Sequence, residues 1–170
     1  WSLNVGVPNS KKMPGDELTL NLKSLSKLRS LSLNGLPLQD DDLAFLKHMP
    51  HLQQMWIRPE SLPATTWKHL RDLSELNLLH MTGISEPTSQ DLACLGGLTK
   101  LGQLNLHGRI PGEALEHLPN LPSLWSLWIC NEELMTPETQ AHVRKGQSGH
   151  NVYIHFRDLN MGIPQIVPSQ

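Results

Sequence analysis

One short phrase, L-x-x-L-x-L, recurs along this chain and limits what it can fold into. It reads Leu28, Leu31, Leu33; then Leu52, Met55, Ile57; then Leu73, Leu76, Leu78. It returns as Leu101, Leu104, Leu106 and as Leu124, Leu127, Ile129. The first positions lie 24, 21, 28 and 23 residues apart. Self-similarity with a period of about 20 to 30 residues marks a solenoid, in which no unit buries its apolar side until a neighbour stacks on it.

The last part of each phrase alternates, and alternation is the mark of a strand with one buried face. Leu31 and Leu33 then point one way and Ser30, Ser32 and Asn34 the other. Each buried leucine contributes roughly 1.5–3 kcal/mol. Between phrases a second apolar set returns the chain to the next strand. Asp40, Asp41 and Asp42 precede Leu43 and Leu46, and acidic residues suit the amide-rich start of a helix. Thr65 and Thr66 stand in the same relation to Trp67 and Leu70; Ser89 to Leu95 and Gly112 to Leu118 follow. The 28-residue unit carries additional chain at Met81 to Ser89, rich in Thr, Gly, Ser and Pro, which is expected to form a surface loop.

At this point the stretch from Leu25 to Cys130 resembles a leucine-rich-repeat domain. The resemblance implies an α/β solenoid, with parallel strands on a concave face and short helices or irregular arcs on the convex side. The chain then divides into residues 1–24, an N-terminal cap or truncated preceding repeat; 25–130, about five repeats; 131–158, a capping helix and strand; and 159–170, a tail. Leu3, Val5 and Val7 alternate as a short strand, and Leu18, Leu20 and Leu22 alternate again in the cap. Glu138 to Lys145 has helical character, and Asn151 to Arg157 reads as a closing strand. The chain starts at Trp1 without a signal-peptide pattern, and is expected to be a piece of something longer.

Composition agrees. Of the 170 residues, 38% are hydrophobic and only 18% charged, which suits a packed core. The net charge of −2 argues against nucleic acid and anionic membrane as partners, and no apolar run is long enough to span a bilayer. Two cysteines, Cys94 and Cys130, make no disulfide framework. Secreted leucine-rich-repeat proteins often carry cysteine-rich caps and N-x-S/T sites; neither occurs here, and a cytoplasmic setting is expected.

The resemblance also implies where a partner sits, because outward side chains of the strands would line the concave surface. The row before the central leucine is Ser30, Gln54, Glu75, Gln103 and Ser126. The middle row is Ser32, Trp56, Asn77, Asn105 and Trp128; the row after is Asn34, Arg58, Leu79, His107 and Cys130. The closing strand would add Tyr153, His155 and Arg157. Tryptophan and arginine are enriched at binding hot spots. Trp56, Arg58, Asn77, Asn105, His107 and Trp128 are therefore the expected partner contacts, whereas Trp67 and Trp125 are expected to be structural.

No pattern of catalytic residues accompanies them. His48 and His51 flank Pro50 without an H-E-x-x-H motif. His107, Cys130 and His155 fall in one row by this register, a coincidence too thin for a metal site. Ser24 to Lys27 matches S-x-x-K only because Leu25 and Leu28 are repeat leucines. The expectation is a non-enzymatic module, without metal or cofactor, that binds another protein or a domain of its own parent. The alternatives are an intramolecular or autoinhibitory solenoid, using Trp67, Trp125 or residues 81–89, and an accessory domain of an enzyme whose catalytic part lies elsewhere.

Overall fold

The computed structural model describes residues 2–6, 26–36, 38–39, 41–59, 62–131, 135–147 and 152–158. Among the described residues seven strands form one sheet, all parallel and in chain order. They are β1 (Ser2–Gly6), β2 (Ser30–Asn34), β3 (Gln54–Arg58), β4 (Leu78–Ser85), β5 (Gln103–Arg109), β6 (Ser126–Asn131) and β7 (Tyr153–Asp158). Short helices carry the chain back: a 3-10 turn at Ala44–His48, α1 (Thr66–Leu70), α2 (Ser89–Ala93) running into a 3-10 turn at Cys94–Gly97, α3 (Gly112–Leu115), and α4 (Pro137–Gly146). This is an α/β arrangement of stacked units, compatible with a solenoid.

The strand alternation predicted from sequence is present. Leu31, Met55, Leu79, Leu104 and Leu127 lie side by side, as do Leu33, Ile57, Met81, Leu106 and Ile129. All ten are fully buried. The return arcs close the core with Phe45 and Leu46, Trp67 and Leu70, Leu92 and Leu95, and Ala114 and Leu115. The closing strand and the strand at the start of the chain both join the sheet; Leu3 pairs with Leu31. Leu18, Leu20, Leu22 and the tail lie outside the described residues.

The third unit departs from the expected register. Met55 pairs with Leu79 and Ile57 with Met81, so the working phrase there is Leu76, Leu79, Met81, not Leu73, Leu76, Leu78. The spacings become 24, 24, 25 and 23. The backbone repeats with the same step. The carbonyls of Arg29, Gln53, Asn77 and Gly102 each accept from two consecutive amides at the entrance of the next strand, at 2.7–3.1 Å. The 28-residue unit thereby disappears, and the expected surface loop shrinks to residues 86–88. Met81 and Ile84 are buried in β4, which holds one extra residue as a bulge, since Met81 pairs with Leu106 but Ile84 with Gly108. Gly108 has φ +146°, and a Cβ there would run into the backbone of Ile84. Only glycine fits.

The acidic run does not cap a helix either. The 3-10 turn after it has no acidic residue in its first turn. Asp41, in the left-handed region at φ 65°, instead reaches the next arc, 2.6 Å from Lys68 Nζ and 3.1 Å from His69 Nε2. True caps occur at α2, where Thr88 and Asp91 form a capping box, and at α4, where Thr136 accepts from the Thr139 amide ahead of Pro137.

Two buried amides staple the last units. Asn131 accepts from the Ile110 amide and donates to the Ile110 carbonyl, both at 2.8 Å. Gln147 donates to the Pro119 carbonyl at 2.8 Å and accepts from the Leu121 amide at 3.2 Å. Irregular backbone inside a protein needs such partners.

Candidate functional site

Because each strand turns alternate side chains away from the core, the sheet has an open face built from three rows. The middle row is Ser32, Trp56, His80, Asn105, Trp128 and His155. On its C-terminal side stand Asn34, Arg58, His107, Cys130 and Arg157. On the other side are Ser30, Gln54, Leu78, Gln103, Ser126 and Tyr153.

Five of the six expected contact residues therefore share this face. Trp56, Asn105 and Trp128 lie in the middle row, and Arg58 and His107 in the row beside it. Asn77 does not. It precedes β4 and serves as a backbone acceptor for Gly102 and Gln103. His80 takes its place, and the three-residue slip of register explains why it was missed. Glu75 likewise leaves the face and Leu78 enters it, while Leu79 goes to the core. His155 falls in the middle row beside Trp128, not in the row of His107 and Cys130.

The floor is ordered by its own contacts. Trp128 donates from Nε1 to Ser126 Oγ at 3.1 Å and stacks on His155, with ring centroids 3.9 Å apart and planes 16° apart. Tyr153 tilts against the same imidazole at 4.3 Å. Trp128 is still 39% exposed and Tyr153 52%. At the other end, small serines on β2 leave a hollow of about 540 Å³ beside Trp56, lined also by Asn34, Gln54 and Arg58.

Between these aromatic ends lies a polar centre. His80 Nδ1 is 3.3 Å from Asn105 Nδ2, and the His80 ring lies 5.0 Å from that of His107. Burial, then the neighbouring His107 and Arg58, push the His80 imidazole down to about 4. Burial first, then Arg58 and Arg157, also lower His107, and burial lowers His155. Burial raises the Cys130 thiol, with Arg157 opposing it. A raised thiol is a poor nucleophile.

The two tryptophans expected to be structural differ in exposure. Trp67 is buried in the core. Trp125 is 55% exposed and lies over Gly102, where a Cβ would come within 2.6 Å of the indole nitrogen.

Among the described residues no group of three or more His, Cys, Asp and Glu is arranged to hold a metal ion. No described helix is long and apolar enough to cross a membrane. No protein-family model matches this chain, and no curated protein is significantly similar to it.

Proposed function

We propose that this chain is a leucine-rich-repeat-type interaction module that grips a protein partner on the open face of its sheet, the concave face of such a solenoid. In a larger cytoplasmic parent it would be the recognition part. The observation that carries this reading is the placement of Trp56, Trp128 and Tyr153, with Arg58 and Arg157, on the face turned away from the core. Trp128 and Tyr153 keep 39% and 52% of their surface exposed beyond their own cross-strand contacts, and tyrosine, tryptophan and arginine supply much contact area at low entropic cost.

An intramolecular or autoinhibitory packing on the parent is the alternative, and it uses a different surface. The intramolecular reading draws on Trp67, Trp125 and residues 81–89. Of these, Trp67, Met81 and Ile84 are taken up by the core of this chain, which leaves Trp125, 55% exposed, as the large apolar side chain that reading can still use. The test is capture from a lysate of the source cell by the wild-type protein and by a Trp56→Ala/Trp128→Ala variant, with circular dichroism confirming that both are folded. The reading expects a partner held by the wild type and lost by the variant. A partner held equally by both moves the site to a flank or arc.

A further inference from the structure

The open face is segregated by charge. The chain has 16 Asp and Glu residues. Yet the described side chains in the three open-face rows include none of them. Among the described residues three carboxylates outside these rows already meet cations: Asp41 with Lys68, Glu75 with Lys100 at 2.6 Å, and Glu86 with Arg109 at 3.4 Å. Arg58 and Arg157 are different. Both are exposed on the open face, at the same row position of β3 and β7, and neither forms an ion pair among the described residues.

Taking the open-face reading as its basis, we infer that the partner presents an extended acidic segment, which crosses the strands with one carboxylate on Arg58 and a second on Arg157. β3 and β7 are four strands apart. At about 4.8 Å per strand that is roughly 19 Å, and an extended chain rises about 3.3 Å per residue, so the two carboxylates are about six positions apart. Between them the segment passes His107 on β5 and Trp128 on β6, and the hollow beside Trp56 lies beyond Arg58 towards β2. Guanidinium groups suit carboxylates because their paired N–H donors match the two oxygens. Two isolated arginines at this separation do not make the continuous basic track that a nucleic-acid backbone needs, and the chain as a whole is acidic.

The experiment is selection of displayed random 12-residue peptides on the purified protein, followed by titration of synthetic winners. The expected winners carry Asp or Glu in pairs five to seven positions apart. Their affinity falls about tenfold with Arg58→Gln, about tenfold with Arg157→Gln, about tenfold when the acids become Gln or Asn, and further at high salt. Winners with no acidic enrichment, or acidic winners that bind the Arg58→Gln/Arg157→Gln variant unchanged, overturn the inference. So does a selection that yields no binder, or an oligothymidylate of the same length that binds as tightly as the acidic peptides. Neutral winners lost on Trp56→Ala/Trp128→Ala overturn the acidic segment while supporting the open-face reading. Winners indifferent to both pairs of substitutions sink the two together.

Discussion

The Trp128 indole lies flat on the His155 imidazole, 3.9 Å between ring centroids, and this contact joins the last two strands across the open face. Aromatic pairs of this kind are worth about 0.5–1.5 kcal/mol beyond the area they bury. His155→Ala is expected to lower stability by about 1 kcal/mol and to shift the Trp128 emission to the red, as water reaches the ring. Urea denaturation followed by tryptophan fluorescence measures both. An unchanged midpoint and spectrum would mean that the stack does not form in solution.

The neutral histidines give stability a pH dependence whose sign follows from their direction of shift. A group whose folded pKa is depressed, as His80 is from 6.5 to about 4, binds more protons unfolded than folded across that interval. Its contribution is complete above about pH 6.5 and is lost as pH falls towards 4. Half-exposure discounts the effect to about 1 kcal/mol between pH 7 and pH 5. That window lies above the range where the lowered carboxyls of Asp41, Glu75 and Glu138 begin to protonate. Tm should fall from pH 7 to pH 5 in the wild type, and less in His80→Gln. Equal losses in both proteins would assign the effect elsewhere.

The register of the third unit can be tested with adjacent residues. Leu79 is buried between Met55 and Leu104, whereas Leu78 is only partly buried beside Gln54 and Gln103. Leu79→Ala should cost about 3 kcal/mol, in the usual range for a core leucine. Leu78→Ser should cost less than about 1 kcal/mol. Denaturant midpoints of the two variants decide the matter, and the reverse order would restore the register read from Leu73, Leu76 and Leu78.

Asn131 supplies a different kind of stabilisation. Asn131→Ala removes both hydrogen bonds to Ile110 and leaves a buried amide and a buried carbonyl unpaired. The expected cost is about 2 kcal/mol. Asn131→Asp keeps the acceptor but loses the donor, so at neutral pH it should not restore the wild-type midpoint. A midpoint unchanged in Asn131→Ala would show that water replaces the staple.

Much of this was legible in the sequence because one side-chain type tiles the core. The L-x-L alternation located β2, β3, β5 and β6, and the closing strand followed from Val152, Ile154 and Phe156. The same monotony caused the main error. Leucines step by three through Leu70, Leu73, Leu76 and Leu79, so the phrase also fits three residues early, where Leu78 happens to complete it. The distinguishing signal was present: Leu46, Met49 and Leu52 lead into β3 by the same steps that Leu70, Leu73 and Leu76 use to lead into β4. Near-equal spacing would have selected the correct frame and shown His80 on the open face. The Asn131 and Gln147 staples were not legible, because their partners lie 21 and 26–28 residues away and follow no periodic pattern.

The most direct test of the central claim is site-specific photo-crosslinking in the source cell lysate. A benzophenone side chain would be placed at Gln103 and at Ser32 on the open face, and at Glu113 and Ala93 on the return arcs. Partner binding on the open face predicts a common crosslinked protein from Gln103 and Ser32 that is missing from Glu113 and Ala93. Crosslinks formed only from the arc positions would contradict it and place the binding surface on the opposite side of the sheet.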